Sequence, residues 1–112
     1  MRILSVTTLN PENLKMPTEA DMAKMGAFIT ELRDRAILVE TGGAIGDMME
    51  MRVVRKDGKT TITDGPFTES KEVVGGYAVM DVADKAQAIE LTQRFLDLIG
   101  DATCHIHEVS SA

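Results

Sequence analysis

The segment Asp64-Gly65-Pro66-Phe67-Thr68-Glu69-Ser70-Lys71 gathers carboxylates, hydroxyls and an ammonium around a stiff Gly-Pro corner. Loops of this kind often carry function, because a rigid scaffold positions their side chains. The chemistry open to these residue types is proton transfer: Asp64 as a general base, with Glu69 and Lys71 as an ion pair that orients it or holds an anionic group. Arg52 is a second candidate for holding the anion, and Phe67 is a hydrophobic contact. The small Gly75 and Gly76, followed by Tyr77, leave space for a ligand against a strand. The same residues also suit plain structure: a connector turned by Gly65-Pro66, and a β-bulge or close backbone crossing at the glycine pair.

His105 and His107 stand one residue apart, so on a strand they share a face. Two ligands fall short of the three that a catalytic zinc takes from its protein, so the pair reads as sheet-surface or dimer-contact histidines. His105 stays a ligand-binding candidate; no metal and no cofactor are expected. Gly42-Gly43-Ala44-Ile45-Gly46 does not open a helix and lacks the continuation of a phosphate-cradling loop. The eight methionines, Met48, Met49 and Met51 among them, read as core filler. Cys104 alternates with His105, shares a face with Ile106 and reads as a small buried hydrophobe.

These groups need elements to hold them. Residues 2 to 9 set Leu4 and Val6 on one face and Ser5 and Thr7 on the other, the period of a half-buried strand. Pro17-Thr18 with Asp21 three residues on marks a helix start that runs to about Arg35, its apolar stripe made of Met22, Met25, Ile29, Leu32 and Ala36, widened by Phe28. Glu19, Lys24, Glu31 and Asp34 face away from that stripe. Ala36 to Thr41 reads as a strand stopping at a flexible Gly42-Gly43 turn, and residues 46 to 56 as another. Asp57-Gly58 then turns a hairpin into Thr60 to Thr63, because both residues tolerate positive φ. Val73 to Val82 is apolar on both faces, which predicts a central strand covered on both sides. Asp84 caps a second helix ending at Gly100, with Ala88, Thr92, Phe95 and Ile99 on one stripe, and a last strand runs from about Thr103 to Val109.

The order predicts an α+β fold: a ferredoxin-like split β-α-β with an antiparallel sheet and two helices on one face. A chain of 112 residues is a single domain over 1–112, able to bury roughly 65% of its unfolded surface. The doubly apolar strand then needs a second cover, and the sheet of another copy supplies it, so a homodimer through sheet faces is expected. A net charge of −6 and a pI near 4.8 repel phosphate backbones and anionic lipid, which argues against nucleic acid and membrane partners. The lone cysteine and the lack of any long apolar run point to the cytoplasm.

The string Thr63 to Glu72, followed by Gly75-Gly76-Tyr77, resembles the signature of the DGPF branch of the YCII-related family. The resemblance extends to Glu31-Leu32-Arg33 near the end of the first helix, Asp57-Gly58-Lys59 in the hairpin, and Asp81 to Asp84 leading into the second helix. It implies a dimeric α+β barrel of ferredoxin-like subunits. Relatives are often credited with a histidine and aspartate pair near the first helix and second strand, but this chain has no histidine before His105, so that pair is not carried over. Similar genes often lie beside alternative sigma factors, which implies a stress or signalling context. Two functions follow as expectations: cofactor-independent proton transfer on a small anionic molecule, or a non-catalytic small-molecule-binding or regulatory module. Asp64 is the residue at which they diverge.

Overall fold

The computed structural model describes residues 1–13, 16–44, 49–65 and 73–110. In chain order it has β1 (Arg2–Leu9), a 3₁₀ turn (Pro11–Asn13), α1 (Glu19–Asp34), β2 (Leu38–Gly43), β3 (Met51–Lys56), β4 (Lys59–Asp64), β5 (Val73–Asp81), α2 (Lys85–Ile99) and β6 (Thr103–Glu108). Four of the strands form one antiparallel sheet in the order β2-β5-β1-β6, while among the described residues β3 and β4 pair only with each other. Without the β3–β4 hairpin the order is β-α-β-β-α-β, the ferredoxin-like arrangement.

Local chemistry sets the helix ends. The Thr18 hydroxyl accepts from the Asp21 N–H at 3.1 Å and the Asp21 carboxylate accepts from the Thr18 N–H at 3.0 Å, a capping box that lowers the Asp21 pKa. At the other end Ile37 N–H reaches the Leu32 carbonyl at 2.8 Å and Ala36 N–H the Arg33 carbonyl at 3.0 Å, a Schellman closure. Ala36 has φ +56, the left-handed residue of that closure, so it leaves the helix instead of extending its stripe. In α2 the Asp84 carboxylate accepts from the Gln87 N–H at 2.8 Å, and Gly100, at φ +86, stops the helix.

Ile3 lies opposite Met80 in the sheet, and both are buried with Leu32 of α1 and Leu91 of α2, which puts the two helices on one sheet face. By alternation Ser5 and Thr7 share that covered face, at 7% and 5% exposure. Leu4 and Val6 therefore lie on the open face, each only part-exposed. Leu91, absent from the expected stripe of α2, is 1% exposed.

Two further expectations change. Gly42 and Gly43 belong to β2, paired with Tyr77 and Gly76, instead of forming a flexible turn. The methionines divide: Met80 is buried, but Met16, Met22, Met49 and Met51 are exposed and fill no core, while Met48 lies outside the described residues. The hairpin turns through Asp57 (φ +52) and Gly58 (φ +76), a pair of positive φ values that matches the twist of two antiparallel strands. Every residue of β3 and β4 is exposed. The radius of gyration is 15.9 Å, against roughly 13 Å for a compact chain of this length, as a hairpin standing off the body requires. No helix among the described residues is long and apolar enough to cross a membrane.

Candidate functional site

Between the helices and the covered face of the sheet lies a cleft of about 470 Å³. Ser5 and Thr7 of β1 and the glycines of β2 and β5 line its sheet side, while Phe28 and Ile29 of α1 and Thr92 and Phe95 of α2 line its helix side. Gly75 is the extra residue of a β-bulge: the β1–β5 register slips between Thr7, opposite Gly76, and Thr8, opposite Val74. Gly76 is needed for a close crossing, since a Cβ there would stand 2.8 Å from the Gly42 carbonyl oxygen. Both structural roles of the glycine pair are realised, and both glycines also line the cleft.

The polar equipment of the cleft is modest. Ser5, Thr7, Thr41 and Thr92 bring hydroxyls; that of Thr92 donates to the Ala88 carbonyl at 2.7 Å, and that of Thr7 stands 3.5 Å from the Cys104 sulfur. Among the described lining residues there is no carboxylate, ammonium, guanidinium or imidazole. An apolar cleft with a few hydroxyls favours an uncharged guest, because a buried charge needs a partner that this lining does not supply.

On the outer side of Phe28 the charges gather. Glu31 accepts both guanidinium nitrogens of Arg94 at 2.7 Å and one from Arg35 at 3.0 Å. The Arg94 guanidinium also stands 4.8 Å above the Phe28 ring. Its hydrogen bonds hold the Glu31 pKa down at about 2, with Arg35 adding to the effect. Glu31, expected to face away from the packing, thus ties α1 to α2 behind the aromatic wall of the cleft.

The open sheet face carries a separate set of groups. The Tyr77 phenol donates to Glu40 at 2.8 Å, which raises the Tyr77 pKa, and its ring lies where a side chain on Gly42 would have to go. Arg2 grips Asp81 at 2.8 and 3.0 Å and keeps that carboxyl below its ordinary range. His105 and His107 lie opposite Val6 and Leu4, and the His105 Nε2 stands 3.5 Å from the Thr8 hydroxyl.

The sequence candidates are therefore dispersed. Gly75 and Gly76 line the cleft, and Tyr77 borders it from its place in β5, while its ring and phenol belong to the open face opposite Val6. Asp64 ends β4 opposite Met51, and Arg52 lies on β3 opposite Thr63; both are exposed on the hairpin and neither lines the cleft. His105 belongs to the open face, across the sheet from the cleft. Phe67, Glu69 and Lys71 lie outside the described residues. Gly65 closes the root of the hairpin: its N–H donates to the Glu50 carbonyl at 2.7 Å, and a Cβ would stand 2.9 Å from that of Glu50. No group of three or more histidine, cysteine, aspartate or glutamate residues among the described ones is placed to hold a metal. Sequence reasoning missed Ser5, Thr7 and Arg94; the one available signal was that Ile3 shares their strand face with the two hydroxyls.

The sequence pattern of the YCII-related domain matches residues 1–95. The chain belongs to the YCII-related family. The matched span runs from β1 to Phe95, a wall residue of the cleft in α2, so it takes in both sides of the cleft and leaves β6 beyond it. No curated protein matches the chain.

Proposed function

We propose that this YCII-related domain, of the DGPF branch, is a cytoplasmic homodimer that binds a small, largely apolar molecule between its helices and its sheet. The observation that carries the reading is the cleft itself, apolar on its helix side and supplied with hydroxyls but no charge among the described lining residues. The dimer reading is supported by the open sheet face, where Leu4, Val6 and Val79 are part-buried within one chain and Tyr77 is 37% exposed. The free thiol of Cys104 suits a reducing compartment. Binding takes precedence over proton transfer because Asp64 stands on the hairpin, outside the cleft lining.

The neutral fluorophore N-phenyl-1-naphthylamine tests this. Saturable binding at one molecule per chain, lost in Thr92→Phe with unchanged circular dichroism and unaffected by Asp64→Asn, is the expected result. No saturable binding, or binding that ignores Thr92→Phe, overturns the cleft as the site. Loss on Asp64→Asn with the fold intact returns the function to that carboxylate. Native mass spectrometry of the same samples reads the subunit count, and a monomer at micromolar concentration removes the dimer.

A further inference from the structure

Ser5 lies in β1, between β5 and β6 and under the helices, at 7% exposure. Among the described residues its hydroxyl has no hydrogen-bond partner. A hydroxyl taken out of water without a partner costs stability, and buried hydroxyls in folded proteins nearly always find one. No sealed side-chain oxygen or nitrogen among the described residues lacks a partner, so the Ser5 hydroxyl is not sealed. It opens onto the cleft, whose lining includes Ser5.

The other hydroxyls of the described lining are committed. That of Thr41 donates to the Tyr77 carbonyl at 2.8 Å, that of Thr92 donates to the Ala88 carbonyl at 2.7 Å, and that of Thr7 is engaged with the Cys104 sulfur at 3.5 Å. Ser5 alone among them brings a proton with nowhere to go. The floor around it is bare: Ala78 stands opposite Ser5 on β5, and Gly76 opposite Thr7. Small neighbours let the end of a guest reach the hydroxyl, while Phe28 and Phe95 meet its body from the helix side.

A free donor in this setting selects for a neutral acceptor. A carboxylate would accept the proton, but it would enter a lining that offers no cation among the described residues. An ammonium would bring protons of its own and no acceptor. A carbonyl oxygen accepts, carries no charge and needs no donor site in return.

We propose that Ser5 is the polar anchor of the cleft, a specificity-determining residue whose hydroxyl donates to the guest, and that the ligand class is a neutral carbonyl compound with an apolar body. This rests on the cleft being the binding site and adds the chemistry of the guest's polar end. The fluorescent ketone 2-acetyl-6-(dimethylamino)naphthalene tests it on the full chain, beside 2-ethyl-6-(dimethylamino)naphthalene, the same body without the oxygen. Emission of the ketone moves to the red when its carbonyl accepts a hydrogen bond, so the bond is read separately from the affinity. Ser5→Ala weakens the ketone ~5-fold, the worth of one neutral hydrogen bond, and moves its bound emission to the blue. The same variant leaves the oxygen-free analogue within ~2-fold, because the coupling belongs to the oxygen. Its melting temperature is unchanged or higher, since the hydroxyl removed had no partner in the fold. Thr7→Val leaves the emission in place.

Equal ketone affinity and emission in wild type and Ser5→Ala, with N-phenyl-1-naphthylamine still bound, overturn the anchor and leave the cleft standing. Binding of N-phenyl-1-naphthylamine without binding of the ketone overturns the carbonyl class. Saturable binding of neither overturns the cleft and the anchor with it. A blue shift in Thr7→Val but not in Ser5→Ala overturns the assignment to Ser5. Equal loss of all three probes in Ser5→Ala, with a lowered melting temperature, overturns the anchor by showing that the hydroxyl serves the fold.

Discussion

β1 and β3 make the same local structure from opposite materials. β1 buries Ser5 and Thr7, while β3 leaves Met51, Val53 and Val54 in solvent. Hydropathy ranks these residues in the reverse order. What decides burial is position: β1 is paired on both sides and roofed by two helices, whereas among the described residues β3 has one partner strand and no roof. A strand in the middle of a sheet buries whatever its covered face carries, and hydroxyls are tolerated there when they have partners or open onto a cleft. A hairpin of two strands exposes what it carries.

The contrast makes quantitative demands. Leu91→Ala, in the roof, is expected to cost about 2–5 kcal/mol in urea denaturation at fixed protein concentration, because it leaves a cavity in a packed layer. Val54→Ala on the hairpin is expected to change stability by no more than about 0.5 kcal/mol; equal effects would erase the distinction between body and hairpin. Next comes Gly76→Ala, which pushes a Cβ against the Gly42 carbonyl and is expected to cost about 1–3 kcal/mol by thermal denaturation. A smaller gain is expected where the chain carries avoidable strain. Ala36→Gly relieves a left-handed alanine, and Gly26→Ala adds a methyl inside α1 where nothing stands within 4 Å, each worth roughly 0.5–1 kcal/mol of added stability.

The pH dependence sharpens the comparison last. Glu31 has its pKa lowered to about 2 by Arg94 and Arg35, so its contribution is fully present above the ordinary carboxylate range. That contribution declines as pH falls from about 4.5 toward 2. Acid titration of thermal stability should show this decline, and Arg94→Gln should flatten it. An unchanged acid profile in Arg94→Gln would show that the charge cluster does not fasten α1 to α2. The effect is expected to be the smallest of the set, since both side chains are 39% exposed and solvent screens the pair.

Much of the fold was legible because it is written in short-range chemistry. Thr18 with Asp21, Asp84, Gly100 and Asp57-Gly58 each act within four residues of themselves, and each stands where its type predicts. Ala36 shows the limit of such reading: the Schellman closure usually takes glycine, and here the pull of Ile37 into the core sets an alanine at φ +56. The candidate site was less legible. Gly75-Gly76 was readable as a bulge, yet the cleft above it is built from Ser5, Thr7 and Thr92, which look like wet residues in a linear pattern.

By itself the sequence determined the caps of both helices, the turn of the hairpin, the α+β class, and the family to which the chain belongs, since caps, turns and periodicity are local and a family signature is a string. The tertiary structure alone decided which face of β1 lies under the helices, and that Glu31 meets Arg94 from 63 positions away. It also decided that the hairpin stands apart from the sheet with its valines exposed. The physical reason is common to all three. Burial and ion pairing depend on what arrives from a distant part of the chain, and no property of the residue itself records that arrival.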